Sequence, residues 1–331
     1  MLEPILLNRS EIDSGRWDLL IADSVTSVFY GFSWYLDTVS ESWQALVWPS
    51  AENYQLVMPL PIKKRLGFPV LYQPHFCQFL GIFSESEITV EIAGIFLESC
   101  ISHFSYISSY SFHPDLSGAV EPLLNRFPAI SFVKQQTFRK SLARNQSYNA
   151  DRKRNLRRGI ESNWVIEEGI NTAELISLFS LHHSGNIKGG VSVQSYRILE
   201  KLVSAFRLHG NATLRYASVS GKIHASILIF RYGDYAVYIF NAADEKGRKG
   251  NARTVMLNNY FMEHEGTDLL FDFESAQEPH IHAFYRSFGG ADTPFVSMSK
   301  THLCFPLNYF QSLRRYLIRT RRALLLILYR T

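Results

Sequence analysis

The sequence predicts an α/β (α+β) chain whose central sheets are mixed, mostly antiparallel and flanked by helices. Three observations carry this. The second half reads as two helices and then three consecutive strands, an antiparallel meander. A helix, a strand, a helix and a last strand follow, giving the order α-α-β-β-β-α-β-α-β, a meander running into a βαβ unit. The first third alternates strand-like runs with turns. Size is the third: 331 residues, 46% of them hydrophobic, suffice for about two domains of roughly 100–200 residues each.

Taken in order, residues 43–48 read as a strand, 49–53 as a turn and 54–62 as the partner strand. Pro59 and Pro61 suit an edge there, because proline donates nothing to a ladder. Residues 63–67 read as the next connection. Apolar spacing through Ile88, Ile92, Phe96 and Cys100 predicts a helix over 87–104, with short strands at about 106–112 and 128–134. Residues 146–161, QSYNADRKRNLRRGIE, read as a helix that Asn149 or Asp151 caps and Gly159 ends, at the hinge between halves. Helices follow at 172–184 and 192–209, the second stopped by Gly210. The meander occupies 213–219, 224–231 and 235–243. The stretch 244–250 is a charged, glycine-containing loop, 251–265 a helix, 269–273 a strand, 281–288 a short helix and 293–304 a last strand or pair. Trp34, Tyr35, Trp43 and Trp48 are expected in the core.

Composition excludes several classes. Cys77, Cys100 and Cys304 cannot all pair and form no CxxC, which argues against a disulfide framework or a cysteine-type zinc site. The N-terminus is apolar too briefly for a signal peptide, and no run approaches the ~18 apolar residues of a membrane span. A cytoplasmic protein is expected. There is no Gly-x-Ser-x-Gly elbow, Walker loop or dinucleotide fingerprint. His280-x-His282 shows no third ligand, so no metal is assigned, and His182-His183 reads as a surface pair.

Net charge is only +4, but it is unevenly placed. Residues 138–158 carry Arg139, Lys140, Arg144, Arg152, Lys153, Arg154, Arg157 and Arg158 against one acid, Asp151. Residues 309–331 carry six arginines and no acid. Such stretches suit phosphate-bearing ligands, anionic lipid or RNA, or else are solvated helix faces. The arginines at 314–322 precede an apolar run of seven, so 309–331 either lies on an anionic membrane surface or docks on the body through its leucines.

The segment after the third meander strand has a chemical logic. Glycines at 247 and 250 permit a tight turn with uncovered N–H groups, and the helix that follows adds its positive N-terminus. Arg248 and Lys249 add full charges. This is either a pyrophosphate site or an ordinary charged loop with a glycine cap.

The element order resembles the GNAT acyltransferase superfamily, which binds the pyrophosphate of acyl-coenzyme A with [Arg/Gln]-x-x-Gly-x-[Gly/Ala]. The matching positions are Gly247-Arg248-Lys249-Gly250-Asn251-Ala252. Gly250 and Ala252 fit, and Gly247 departs from the expected Arg or Gln. Downstream, Phe284-Tyr285-Arg286-Ser287-Phe288-Gly289-Gly290 is close to the family phrase FYxxxGF. The resemblance implies that Tyr285 is the general acid and that a backbone N–H near Asn241, Ala242 and Ala243 binds the oxyanion. It also implies that Arg248, Lys249, Gly250, Asn251 and Ala252 hold the donor.

Phe271-Asp272-Phe273-Glu274-Ser275, AFYRSFGG and the Asn149–Arg158 stretch further resemble the Fem-type branch, with its two fused GNAT-like halves. That branch implies a tandem fold: a degenerate half at 1–145 that shapes the acceptor site, a GNAT half at 146–308 and a basic tail at 309–331. Glu274 is then the candidate to orient or deprotonate the amine, or else a structural cap. Lys63, Lys64, Arg154, Arg158 and His280 are candidates for substrate contact. The reading is an N-acyltransferase, acetyl-coenzyme A or another acyl-coenzyme A donating to an amine acceptor such as a cell-envelope precursor. One alternative is a Fem-type transferase drawing on aminoacyl-tRNA, and another is a non-catalytic scaffold, peripheral at the membrane through 309–331.

Overall fold

A computed structural model describes residues 3–65, 67–144, 148–186, 191–274 and 279–301. The basic tail and Cys304 lie outside the described residues, as do residues 145–147 at the start of the expected hinge. The first segment contains β1 (Ile5–Asn8), α1 (Ser14–Asp23), α2 (Ser33–Val39), β2 (Ser42–Ser50), β3 (Asn53–Arg65), β4 (Phe68–Leu71), α3 (Val90–His103), β5 (Tyr106–Ser111), α4 (Ser117–Leu124) and β6 (Ile130–Ser141). The second contains α5 (Ala150–Glu161), β7 (Val165–Glu168), α6 (Ala173–His182), α7 (Val193–His209), β8 (Asn211–Val219), β9 (Lys222–Tyr232), β10 (Tyr235–Ala243), α8 (Glu245–Lys249), α9 (Ala252–Glu263), β11 (Leu270–Asp272), α10 (Pro279–Arg286) and β12 (Ala291–Thr301).

All twelve strands join one sheet in the order β1-β2-β3-β4-β5-β12-β6-β11-β10-β9-β8-β7. From either edge the pattern is the same. Four strands form an antiparallel run, a parallel pair follows (β4–β5, β10–β11), and an antiparallel strand closes the set. The predicted mixed, mostly antiparallel tandem architecture is therefore present. The closing strands are exchanged: β12 closes the first half and β6 the second, and the two pair with each other from Ala291 opposite Arg139 to Lys300 opposite Ile130.

Local chemistry explains the elements. Asn149, not Asp151, caps α5, its side chain accepting from Arg152 N at 2.8 Å. Ser192 caps α7, and Gly210 ends it. Aromatic side chains weld the halves: Phe206 of α7 lies 4.9 Å from Phe29 and 5.2 Å from Trp34, ring centre to ring centre. Burying a side chain of that size contributes about 1.5–3 kcal/mol. Tyr35 and Trp43 are fully buried, while Trp34 and Trp48 are partly buried against the same core.

Several expectations need correction. Gly159 does not end α5; a Cβ there would sit 2.5 Å from Val255 Cγ2, so the glycine lets α5 cross α9 closely. Residues 63–65 belong to β3, not to a connection. β3 is also not an edge strand, since β2 pairs it from Asn53 to Ile62 and β4 pairs it from Ile62 onward. Val57 N bonds to Phe83 O on the β4 side, so strand alternation turns the N-termini of Pro59 and Pro61 to that side, before β4 begins. The prolines occupy the one stretch of β3 where no ladder donor is required.

Candidate active site

The site forms where β10 and β11 part. They pair only over Tyr235–Val237 with Leu270–Asp272, and β10 then continues alone on that side to Ala243. A bulge between Tyr238 and Phe240 shifts its register against β9. Asp244 N donates to His224 O on the β9 side, so Ala243 N faces the parted side, where His183 Nε2 stands 3.0 Å away. Alternation then aims the Asn241 N–H into the same gap, while Ala242 is buried. His183 is thus no surface residue. It is half-buried, and burial lowers its pKa, so that the ring is neutral near pH 7 and closes the end of β10.

The charged loop at 244–250 is instead a short helix, α8. Asp244 caps it, accepting from Gly247 N at 2.8 Å and binding His224 Nδ1 at 2.7 Å. The N–H groups expected to be uncovered are largely spent: Arg248 N donates to Asp244 O, Gly250 N to Lys246 O and Asn251 N to Arg248 O. Arg248 Nη1 donates to Ala243 O, and Lys249 pairs with Glu245. Gly247 explains the departure from Arg or Gln, because a Cβ would lie 2.2 Å from His224 O. Gly250 is covered by Trp164, whose Nε1 donates to Gly250 O at 2.7 Å, beside an open cleft of about 430 Å³. Asn251, left-handed at φ 53°, turns the chain into α9. The N–H groups of Ala252 and Arg253 fall in the first turn of α9, which an α-helix leaves without internal acceptors.

Positive charge gathers at that helix head. Arg253 Nη1 donates to Asn241 Oδ1 at 2.6 Å. Arg152 of α5 is buried and, among the described residues, bonds neutral groups, Ser287 Oγ, Thr254 Oγ1 and Phe284 O. Burial and then Arg253 bring its pKa down to about 10. Sequence reading missed Arg253, whose only signal is its place one residue past Ala252.

On the opposite side stands a carboxylate pair. Asp272 is wholly buried and accepts from Thr137 Oγ1 (2.5 Å), Arg139 Nε (3.0 Å), Tyr235 Oη (2.7 Å) and Glu274 N (2.8 Å). The last bond holds Glu274 in the left-handed region at φ 43°, a strained place for a side chain of this kind. Glu274 Oε2 is sealed from solvent, the Tyr30 hydroxyl is the polar group that bonds the carboxyl, and no cation pairs with it among the described residues. Burial, and then the Asp272 charge, push its pKa well above the usual carboxylate range. Tyr285 stacks on Phe273 at 4.8 Å. Its hydroxyl lies beside Asn241 and between the fields of Arg253 and Glu274, and burial chiefly pushes its pKa up to about 12.

The structure therefore brings Glu274, Tyr285, Asn241 and the head of α9 together. It does not bring Lys63 and Lys64 there: they lie at the β3–β4 hairpin, with Lys63 Nζ 4.3 Å from the centre of the Tyr72 ring. Arg154 and Arg158 are exposed on α5. The side chain of His280 lies outside the described residues. No group of three metal-type ligands and no helix apolar enough to cross a membrane occurs among the described residues.

Comparison with known proteins agrees with this geometry. Residues 140–265 match the family model described as an acetyltransferase (GNAT) domain. The fold resembles the crystal structure of FemX, at 12% identity and TM-score 0.61, covering 90% of this chain and 98% of that one. It also resembles a conserved protein of unknown function from Bacteroides thetaiotaomicron, at 10% identity and TM-score 0.53, covering 88% and 93% of the two chains. No curated protein sequence matches significantly. Residues 140–265 are thus similar to a GNAT acetyltransferase domain, within a chain whose fold resembles that of FemX.

Proposed function

We propose that this protein is an N-acyltransferase that moves an acyl group, acetyl in the simplest case, from acyl-coenzyme A to an amine. The observation that supports it most is Glu274, a buried carboxyl with no cation paired to it among the described residues, just past the point where β11 parts from β10 and in the field of a protonated tyrosine. A carboxyl with a raised pKa is a competent base near neutral pH. In this reading residues 146–308 hold the donor and residues 1–145 shape the acceptor side. The head of α9, with Arg253 and Arg152 near it, attracts the donor's phosphates. Glu274 takes one proton from the acceptor ammonium. The Asn241 N–H donates to the acyl oxygen as the C–N bond forms. Tyr285 gives its proton to the departing sulfur as the C–S bond breaks and regains one from the new amide nitrogen. Only the Glu274 proton remains to be lost to solvent.

Thermal unfolding with acetyl-coenzyme A tests the donor. A hundredfold excess over the dissociation constant stabilises the folded state by about 2.7 kcal/mol. Gly250→Glu is expected to abolish the shift, and no shift up to millimolar ligand would sink the reading. An aminoacyl-tRNA donor is favoured by one observation. Lys153, Arg154, Arg157 and Arg158 are exposed on α5, whose Gly159 abuts Asn251 at the head of α9. That reading requires tRNA binding that weakens steeply with salt.

A further inference from the structure

Trp164, just past the end of α5, is locked in place but not covered. Its Nε1 donates to Gly250 O at 2.7 Å, and His224 meets its ring edge-on at 5.9 Å, centre to centre. The ring lies so close to Gly250 that a Cβ there would fall 2.4 Å from Cζ2. It nevertheless stays partly exposed and walls the open cleft of about 430 Å³, a size that suits a small ligand. The opposite wall is α8, which turns Gly247 to the sheet and presents Glu245, Lys246 and Lys249 to the cleft. Lys249 is paired with Glu245 at 2.7 Å, whereas Lys246 is exposed and has no carboxylate partner among the described residues. Gly250 lines the same cleft and stands two residues before Ala252, the first residue of α9. A fixed aromatic face, an ammonium without a counter-ion and a neighbouring helix head form the complement of one chemical class, a nucleotide, whose base stacks while its phosphates meet positive charge.

We infer that Trp164 and Lys246 form a selective subsite for the adenosine 3′-phosphate end of the donor. The adenine stacks on the indole, Lys246 pairs with the 3′-phosphate, and the 5′-pyrophosphate runs toward the head of α9. Because the ring is held before the ligand arrives, little ordering remains to be done on binding. The role in transfer rests on the acyl-coenzyme A reading; the affinity for a purine nucleotide bearing a 3′-phosphate does not.

The test is calorimetric titration of the full chain with adenosine 3′,5′-bisphosphate, with tryptophan fluorescence followed in parallel. Adenosine 5′-monophosphate lacks the 3′-phosphate, and ribose 5-phosphate lacks the base. Saturable binding of the bisphosphate with quenching of Trp164 is expected, at least tenfold tighter than the monophosphate, with ribose phosphate weaker still. Trp164→Leu weakens the bisphosphate about tenfold or more, as expected for one stacked base, and Trp164→Phe recovers part of that affinity. Lys246→Gln, at an exposed position, keeps the melting temperature of the free protein. It weakens the bisphosphate about tenfold and leaves the monophosphate unchanged, as expected for one charge-assisted hydrogen bond. No saturable binding, equal affinity for bisphosphate and ribose phosphate, or an unchanged bisphosphate affinity in Lys246→Gln each overturns the inference. Bisphosphate binding without any acetyl-coenzyme A shift sinks the donor reading and leaves the nucleotide site standing. An acetyl-coenzyme A shift that is the same in the native chain, Trp164→Phe and Lys246→Gln keeps the donor reading and overturns the subsite.

Discussion

Substituting Gly247 by alanine sets two physical effects against each other, and the structure decides the sign. In an open helical position alanine is favoured over glycine by about 1 kcal/mol. At Gly247 the added Cβ falls 2.2 Å from His224 O and 2.9 Å from its carbonyl carbon, both backbone atoms of β9, and 3.2 Å from Ala225 Cβ. No flexible side chain can give way. Either α8 lifts off the sheet or the Asp244 cap is displaced from His224. Overpacking of this kind costs roughly 1–3 kcal/mol, enough to overcome the helical gain. Gly118 of α4 is the control, because its Cβ would meet nothing within 4 Å. Urea unfolding followed by tryptophan fluorescence, with Trp164 reporting beside α8, should show Gly247→Ala destabilised by about 1–3 kcal/mol and Gly118→Ala unchanged or slightly stabilised. An alanine at 247 as stable as glycine would refute the reasoning, and with it the account of why this chain lacks the family's Arg or Gln.

Other expectations concern the charged centre. Asp272→Ala leaves Arg139 buried without its carboxylate and should cost about 3–5 kcal/mol in urea unfolding, part of it recovered when Arg139→Met is added. Glu274 has a folded-state pKa raised above its ordinary 4.5, so its contribution to stability is whole below that value and is lost as pH rises toward the raised one. Glu274→Gln should therefore gain on the native chain between pH 5 and pH 8 in chemical unfolding while losing about 10²-fold or more in acyl transfer; a difference independent of pH would count against the buried, unpaired carboxyl. Tyr285→Phe should keep acetyl-coenzyme A binding and lose roughly 10²–10⁴-fold in kcat, measured by thiol release.

Legibility followed range. The helices at 150–161, 173–182 and 193–209 and the meander announced themselves through periodicity, caps and turn residues within a few positions. Glu274 and Tyr285 are singled out in the sequence by short phrases, and their roles rest on the proposed function. What stayed hidden lies far apart in the chain. Asp272 meets Arg139 across 133 residues and Tyr30 nears Glu274 across the two halves, so no local pattern encodes either. α8 was hidden for a different reason: two glycines in seven residues read as a loop, whereas their lack of side chains serves close approach to His224 and Trp164. His183 was misread because its partner, the end of β10, is 60 residues away.

The strand exchange makes the site a property of the whole chain. A fragment of residues 146–308 contains the phrases that resemble a GNAT half, but it lacks β6. It would lose the β6–β11 ladder, the β6–β12 ladder and both Thr137 and Arg139, which hold Asp272 from β6. Without those bonds Asp272 has no reason to stay buried, and the Asp272 bond that holds Glu274 at φ 43° loses its anchor. β12 would also present two unpaired edges, since β5 is absent as well. A fragment starting at 128 restores β6 and with it the second six-stranded set. Circular dichroism and urea unfolding should show 128–308 cooperative and 146–308 non-cooperative or aggregated. Cooperative unfolding of 146–308 with a native near-ultraviolet spectrum would show that the second half holds its carboxylate pair without β6, against the geometry described above.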